Sequence, residues 1–394
     1  MQKAKQSGRA GFMAAAVLAL TAAAAAAQDP YRIGMSIDLT GPISFNGKIA
    51  AAGLETYVDK LNAEGGVNGR QVELTVADDA SDLAKGKANT QRFADNGSLA
   101  AFGFILTSVS AAVAPQAAED EIPIVGLGGL EELLNPPQPY YFSYELTAAD
   151  LSLPILQFIE QHAAENGIET PRVAILVVDV PSNHQVAERA AAEIEKRGWT
   201  VAETQYFAIS PTDITSQAAA IRASKPDYVL MSHNDAGALV GVKGLRRQGI
   251  SVPVINQWAG SADATIEQLG EGYYAFRTFV GPAEEGNPAI EEMRAAAEEH
   301  GYSGDMTNSY FTQGYVGGMI LEKALMECGA DCASGAEFAA ALEKVGEIDT
   351  GGMAGPLAIN ADTHEAVKSV RFYTWDDAEG GVVAVTDWIG KGTE

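Results

Sequence analysis

Positive charge is scarce in this 394-residue chain: 26 Lys and Arg stand against 52 Asp and Glu, a formal net charge of −26. A surface that acidic repels phosphate backbones and anionic membrane faces, which argues against nucleic-acid and membrane-surface partners. It names no ligand. Cysteine is almost absent; Cys328 and Cys332 are the only two. With none before Cys328, a lipid-anchored lipoprotein start is excluded. Catalytic signatures are missing too. There is no G-x-S-x-G elbow, no H-E-x-x-H and no G-x-x-x-x-G-K-[ST]. Ser232, His233 and Asp235 lie close in sequence, but that spacing does not make a triad. The run Gly126, Gly128, Gly129 lacks the third glycine and the partner acid of a dinucleotide fingerprint. No enzyme, no cofactor and no metal site is expected.

What is present begins with a targeting pattern. Lys3, Lys5 and Arg9 precede the short apolar run Phe12–Leu20 and an alanine tract to Ala27. Ala25-Ala26-Ala27 fits an A-x-A cleavage site, so residues 1–27 read as a cleavable signal peptide with Gln28 as the mature start. The run is too short and too alanine-rich for a transmembrane anchor, and no later segment is apolar enough to span a bilayer. An exported, periplasmic product follows. Removing the first 27 of 394 residues leaves 367, enough for two domains. The loss of three cations and no anions moves the net charge from −26 to −29. In an oxidising compartment Cys328 and Cys332 either close a small disulfide loop, the favoured reading, or stay as free thiols. A metal site there is disfavoured, because no histidine sits near at ligand spacing.

Short apolar runs alternate with amphipathic stretches. Strands are expected at Tyr31–Leu39, Gln71–Asp78, Ala101–Phe104, Ile124–Val125 and Tyr140–Tyr144, with helices at Gly47–Ala63, Leu83–Asp95 and Val109–Asp120 between them. A second series starts near Asp150, with strands Arg172–Asp179, Trp199–Phe207, Tyr228–Ser232 and Val252–Asn256. Two βα series in one chain mean two α/β lobes with parallel sheets. Three helical stretches follow Pro282, and strand-like Val370–Trp375 and Val382–Trp388 end the chain. The helices are expected to return to the first lobe and the last hairpin to the second. Several crossovers make a hinge, and a hinge encloses a cleft.

Several stretches, in order, carry a family resemblance. Ser36–Pro42 with Asn46-Gly47 looks like a first strand and ligand loop. Ile49–Gly69, ending in Leu61-Asn62-Ala63-Glu64-Gly65-Gly66-Val67-Asn68-Gly69, looks like the first helix and its exit turn. Asp78-Asp79, Ile122–Val125 and Phe311–Gly318 continue the pattern. Together they resemble the Leu/Ile/Val-binding family of type I periplasmic binding proteins over nearly the whole chain. The resemblance implies two doubly wound α/β lobes joined by three crossovers, lobe one from 28–148 and 281–352 and lobe two from 149–280 and 353–394. It also implies a solute-binding component of an ABC importer, with a small-molecule ligand and a membrane permease as partners. A ligand-presenting sensory receptor is the alternative role.

In open parallel sheets ligands sit beyond the carboxyl ends of the strands. That rule and the resemblance select the same loops. Phe45 and Asn46 follow the first strand. Thr107 and Ser108 start a helix whose free N–H groups either hold an anionic group or are capped by Ser108 itself. Gly128 and Gly129 either admit a ligand close to the backbone or make a tight turn. In the second lobe Asn183, His184, His233, Asn234 and Trp258 occupy the matching loops. At the positions of Leu130 and Trp258 the family's amino-acid binders place a hydroxyl and an acid that hold an ammonium group. Leucine and tryptophan cannot neutralise one, and an unpaired buried ammonium costs several kcal/mol. The expected ligand is therefore an aromatic or other apolar carboxylate, with Phe45 and Trp258 as aromatic walls and Phe104 as either a third wall or an ordinary core residue. A branched-chain or other amino acid is the alternative.

Overall fold

The computed structural model describes residues 29–148, 150–302, 304 and 308–390. The expected signal peptide, 1–27, lies outside the described residues.

Two parallel sheets with helices on their faces build the molecule. The central strands of each sheet are buried and apolar, as parallel sheets covered on both sides require. The first sheet has the order β2-β1-β3-β4-β5, from β1 (Tyr31–Ile37), β2 (Val72–Asp78), β3 (Ala100–Gly103), β4 (Ile124–Gly126) and β5 (Tyr141–Ser143). Ile33, Met35, Ile37, Phe102, Val125 and Phe142 are fully buried within it. The second sheet has the order β14-β13-β10-β9-β8-β6-β7. Its parallel part is β6 (Arg172–Val178), β7 (Thr200–Phe207), β8 (Tyr228–Ser232), β9 (Val254–Asn256) and β10 (Tyr273–Arg277). The late strands β13 (Ser369–Asp376) and β14 (Gly381–Ala384) join its edge antiparallel. The expected final strand Val382–Trp388 is in fact broken: β14 ends at Ala384, and a two-residue β15 (Ile389–Gly390) pairs with the start of β13. Sequence reading had no strand at β10. Its five residues are framed by Gly270, Gly272 and Gly281, and that punctuation hides a central strand as a loop.

The helices returning after β10 cover the first sheet. Helix α11 (Ser309–Cys328) packs along α1 (Ser44–Ala63). Small residues bring the backbones together: a Cβ on Gly314 would lie 2.0 Å from the Ala50 carbonyl, and one on Gly53 2.1 Å from the Phe311 carbonyl. Cys328 and Cys332 are joined by a disulfide, with Cα atoms 5.4 Å apart. The turn they close is tied to the start of the sheet. Tyr31 donates from its hydroxyl to the Gly329 carbonyl, and the Arg70 guanidinium lies 3.8 Å over the Tyr31 ring while donating to the Ala330 carbonyl.

Three chain crossings connect the lobes and bind to one another. Ser143 donates to the His364 carbonyl and accepts from the Ala366 N–H, stitching the first crossing to the third. Val280 donates to the Met353 carbonyl, stitching the second to the third. A short hairpin of β11 (Gly346–Ile348) and β12 (Leu357–Ile359) lies on the third crossing.

Candidate functional site

The register of each sheet decides which loops share an edge. Ser36 pairs with Gly103, Gly103 with Gly126 and Gly126 with Ser143, so the loops after β1, β3, β4 and β5 leave the first sheet side by side. Val177 pairs with Ser232, and Leu230 with Ile255, which does the same for the loops after β6, β8 and β9. These are the edges on which an α/β cleft forms.

An aromatic contact crosses from lobe to lobe. Trp258 sits on a single 3-10 turn, Trp258–Gly260, directly after β9; the turn is held by Gln257, whose side chain accepts from the Ala259 N–H. Its indole meets the Tyr310 ring edge-on, with centroids 5.5 Å apart. Tyr310 is in the first turn of α11, placed there by the Asn308 side chain, which accepts from the Tyr310 N–H. The Asn46 side chain lies near the Tyr310 hydroxyl. Burial, with the Glu145 and Asp235 carboxyls nearby, pushes the Tyr310 hydroxyl far above its ordinary value, so it stays a neutral donor. The indole nitrogen of Trp258 is buried and has no hydrogen-bond partner. A buried N–H without an acceptor costs about 1–3 kcal/mol. A ligand that offers an acceptor there removes that cost.

The other expected site residues are placed as follows. Phe45 is in the first turn of α1, 61% exposed, at the mouth of the loop after β1. Thr107 and Ser108 open α3 (Thr107–Glu119). The residue before them, Leu106, gives no side-chain cap, so Ser108 does not cap this helix. The chain reaches α3 through Gly103 and Phe104, both at positive φ, which swings it sharply off the end of β3. Phe104 is fully buried in the core. Gly128 and Gly129 are at close backbone crossings. A Cβ on Gly128 would lie 3.0 Å from the Ile105 carbonyl, and one on Gly129 3.1 Å from the Glu145 carbonyl. Leu130 is half-buried at the start of the short α4 (Glu131–Leu134).

In the second lobe the polar candidates are engaged locally. The Asn183 side chain accepts from the Ser232 hydroxyl at 2.8 Å. His184 Nε2 lies 2.8 Å from the Asp179 carboxylate, and its ring stacks on Tyr206 at 4.3 Å. His233 is buried and has both ring nitrogens occupied. Nε2 lies 3.0 Å from the Ala208 carbonyl, and Nδ1 accepts from the Asn234 N–H. Burial pulls its pKa down, which keeps the ring neutral. Asn234 caps α8 (Asp235–Arg247) by accepting from the Gly237 N–H. The sequence places both histidines on strand-end loops, and in the structure the ring of each is engaged within its own lobe.

Two groups were missed. Tyr310 starts a helix in which the sequence offered no site residue; its signal is the Asn308 cap, which fixes where α11 begins. Glu145 looks like an ordinary charged residue after an aromatic strand, yet only 1% of it is exposed. Asp235 turns toward the helix α9 (Asp263–Leu269), accepting from the Ala262 N–H at 3.1 Å. Burial raises its pKa, against its hydrogen bonds with Thr265 and Ala262 and the charge of Arg277.

A family model described as "Periplasmic binding protein" matches residues 30–381. The Leu/Ile/Val-binding protein homolog 2 of Brucella abortus (strain 2308) is 23% identical over 358 residues, covering 89% of this chain and 91% of the relative. A solute binding protein of an ABC transporter from Rhodopseudomonas palustris BisB5, solved with 3,4-dihydroxy benzoic acid, superposes with a TM-score of 0.75 at 19% identity, over 92% of this chain and 98% of that one. A branched chain amino acid ABC transporter protein from Thermus thermophilus, solved with bound valine, superposes with a TM-score of 0.77 at 18% identity, over 92% and 97%. At these identities the solved structures share the fold.

Proposed function

The chain belongs to the periplasmic binding protein family, and from that membership we propose that it is the exported solute-binding component of an ABC importer. It captures a small organic solute between its lobes and delivers it to a membrane permease. Its ligand is an aromatic or other apolar carboxylate that carries a hydrogen-bond acceptor.

The observation that carries the ligand reading is the Trp258–Tyr310 contact with its unpartnered indole N–H. An aromatic or flat apolar body stacks against such a pair, and rings packed this way contribute about 0.5–1.5 kcal/mol beyond the area they bury. The uncapped start of α3 adds N–H donors suited to a carboxylate. Relatives of the same fold take both chemistries: the Rhodopseudomonas palustris protein a dihydroxybenzoate, the Thermus thermophilus protein valine.

One observation favours the second reading, a branched-chain or other amino acid. The Glu145 and Asp235 carboxyls both lie close enough to Tyr310 to raise its pKa, and a carboxylate there would attract an ammonium group. Both are already committed. Glu145 accepts three hydrogen bonds from the protein, and burial holds both carboxyls toward the neutral form. The aromatic-carboxylate reading therefore comes first.

A thermal-shift screen of the ligand-stripped protein tests the order, using leucine, valine, benzoate, 3,4-dihydroxybenzoate and a medium-chain fatty acid. A ligand at a hundred times its Kd adds about 2.7 kcal/mol of stability. A shift with the aromatic acids and none with leucine or valine is expected. A shift with leucine or valine alone overturns the ligand assignment.

A further inference from the structure

Glu145 is where the three crossings of the hinge meet. Its Oε1 accepts from the Leu146 N–H at 2.8 Å, on the first crossing. Its Oε2 accepts from the Thr278 hydroxyl at 2.9 Å, on the second, and from the Gln313 amide at 3.1 Å, on α11 of the first lobe. The third crossing brings a second carboxyl. Glu365 is 6% exposed, and its Oε1 accepts from the Thr147 N–H at 3.2 Å. Ser143, two residues before Glu145, pairs directly with Glu365. Glu145 thus ties the first crossing to the second and to α11, and a second carboxyl, carried by the third crossing and bonded to the first, stands nearby.

We propose that this pair is a proton-sensitive latch: protonated Glu145 holds the crossings in their packed, lobe-closed arrangement, and its ionisation beside Glu365 releases them. The idea rests on the hinged-lobe reading above and is independent of ligand identity. Other titratable groups face the site from the packed elements. Tyr310 comes from α11 and Tyr144 from the first crossing, and both hydroxyls are held neutral by burial. On the third crossing the Lys368 ammonium donates to the Thr363 hydroxyl and the Glu365 carbonyl, and His364 lies against the Tyr141 carbonyl and Glu343. On the second, the Arg277 guanidinium turns away to the Ser261 carbonyl and Asp263.

Burial, then the charge of Glu365, outweighs the hydrogen bonds and pushes Glu145 up to about 8. The sign follows. In an opened hinge the carboxyl meets water and returns toward its ordinary value of 4.5. Closure is fully favoured below that ordinary value. It weakens as pH rises toward the closed-state value and is level above it.

The test is small-angle scattering of the ligand-free protein across pH 5–9, with tryptophan emission followed in parallel because opening separates Trp258 from Tyr310. The wild type is expected to expand as pH rises. Glu145→Gln should stay compact and flat with pH. Glu365→Gln, which keeps the titrating group and removes its neighbour, should reduce the expansion reached at high pH, because the ionised Glu145 is then less unfavourable in the packed hinge. A purely structural role would not change the size of the pH response, and circular dichroism checks that each variant folds. A wild type that is flat with pH yet contracts when an aromatic acid is added overturns the latch and leaves the binding reading intact. The same pH profile in wild type and Glu145→Gln also overturns the latch. A protein whose dimensions respond to neither pH nor any ligand in the screen overturns both.

Discussion

Replacing Trp258 with phenylalanine separates the two things this residue does. The smaller ring keeps an aromatic surface against Tyr310, now 5.5 Å from the indole, and removes the buried N–H that has no acceptor. In the ligand-free protein that N–H is a cost of about 1–3 kcal/mol. Against it stands the loss of indole packing on a half-buried residue, about 1 kcal/mol. The ligand-free variant should therefore unfold within about 1–2 kcal/mol of wild type, in either direction. Binding should respond in one direction only. If a carboxylate or phenolic oxygen accepts from the indole, that charge-assisted bond contributes about 1.5–3 kcal/mol, and its loss weakens binding by about 10- to 100-fold. The assay is a calorimetric titration with whichever aromatic acid shifts the melting midpoint, run beside ligand-free melts of both proteins. Equal affinity in wild type and Trp258→Phe would refute the argument that the indole N–H awaits a ligand acceptor.

Three further outcomes follow from the packing and the site. Gly314→Ala places a methyl 2.0 Å from the Ala50 carbonyl, so α1 and α11 must separate; chemical denaturation should show a loss of about 1–3 kcal/mol or more. Reducing the Cys328–Cys332 disulfide should cost only about 2 kcal/mol, because the loop it closes is so short, and ligand titrations before and after reduction should agree. His184→Ala and His233→Ala should differ in kind. His184 is half-exposed beside Asp179, and its loss should change the melting midpoint and the ligand Kd little. His233 fills space against Phe207 and Gly237, and its loss should lower the melting midpoint by several degrees.

Much of the architecture was legible without coordinates because it rests on local patterning. Buried strands such as Val173–Val178 are nearly continuous apolar runs, and their helices start at capping residues such as Asp82 and Asn287. The βα alternation set the fold class, and the carboxyl-end rule chose loops that the register does place together. Strand β10 was lost because glycines frame it and its partners are β9 and a strand almost a hundred residues later. The last strand was read as continuous because nothing local marks the break between Ala384 and Ile389.

The site divides along the same line. From the sequence comes the expectation that Trp258 stands where the amino-acid binders of the family it resembles place an acid, since that is a matter of residue type and position in a pattern. Only the tertiary structure decided that Tyr310 is its partner, that His233 faces inward and that Glu145 lies at the meeting of three crossings. These depend on contacts between residues 52 to 218 positions apart or on which way one side chain turns. No periodicity encodes such contacts. They arise when crossings from distant parts of the chain are laid side by side and each buried polar group must find its partner among whatever neighbours the fold supplies.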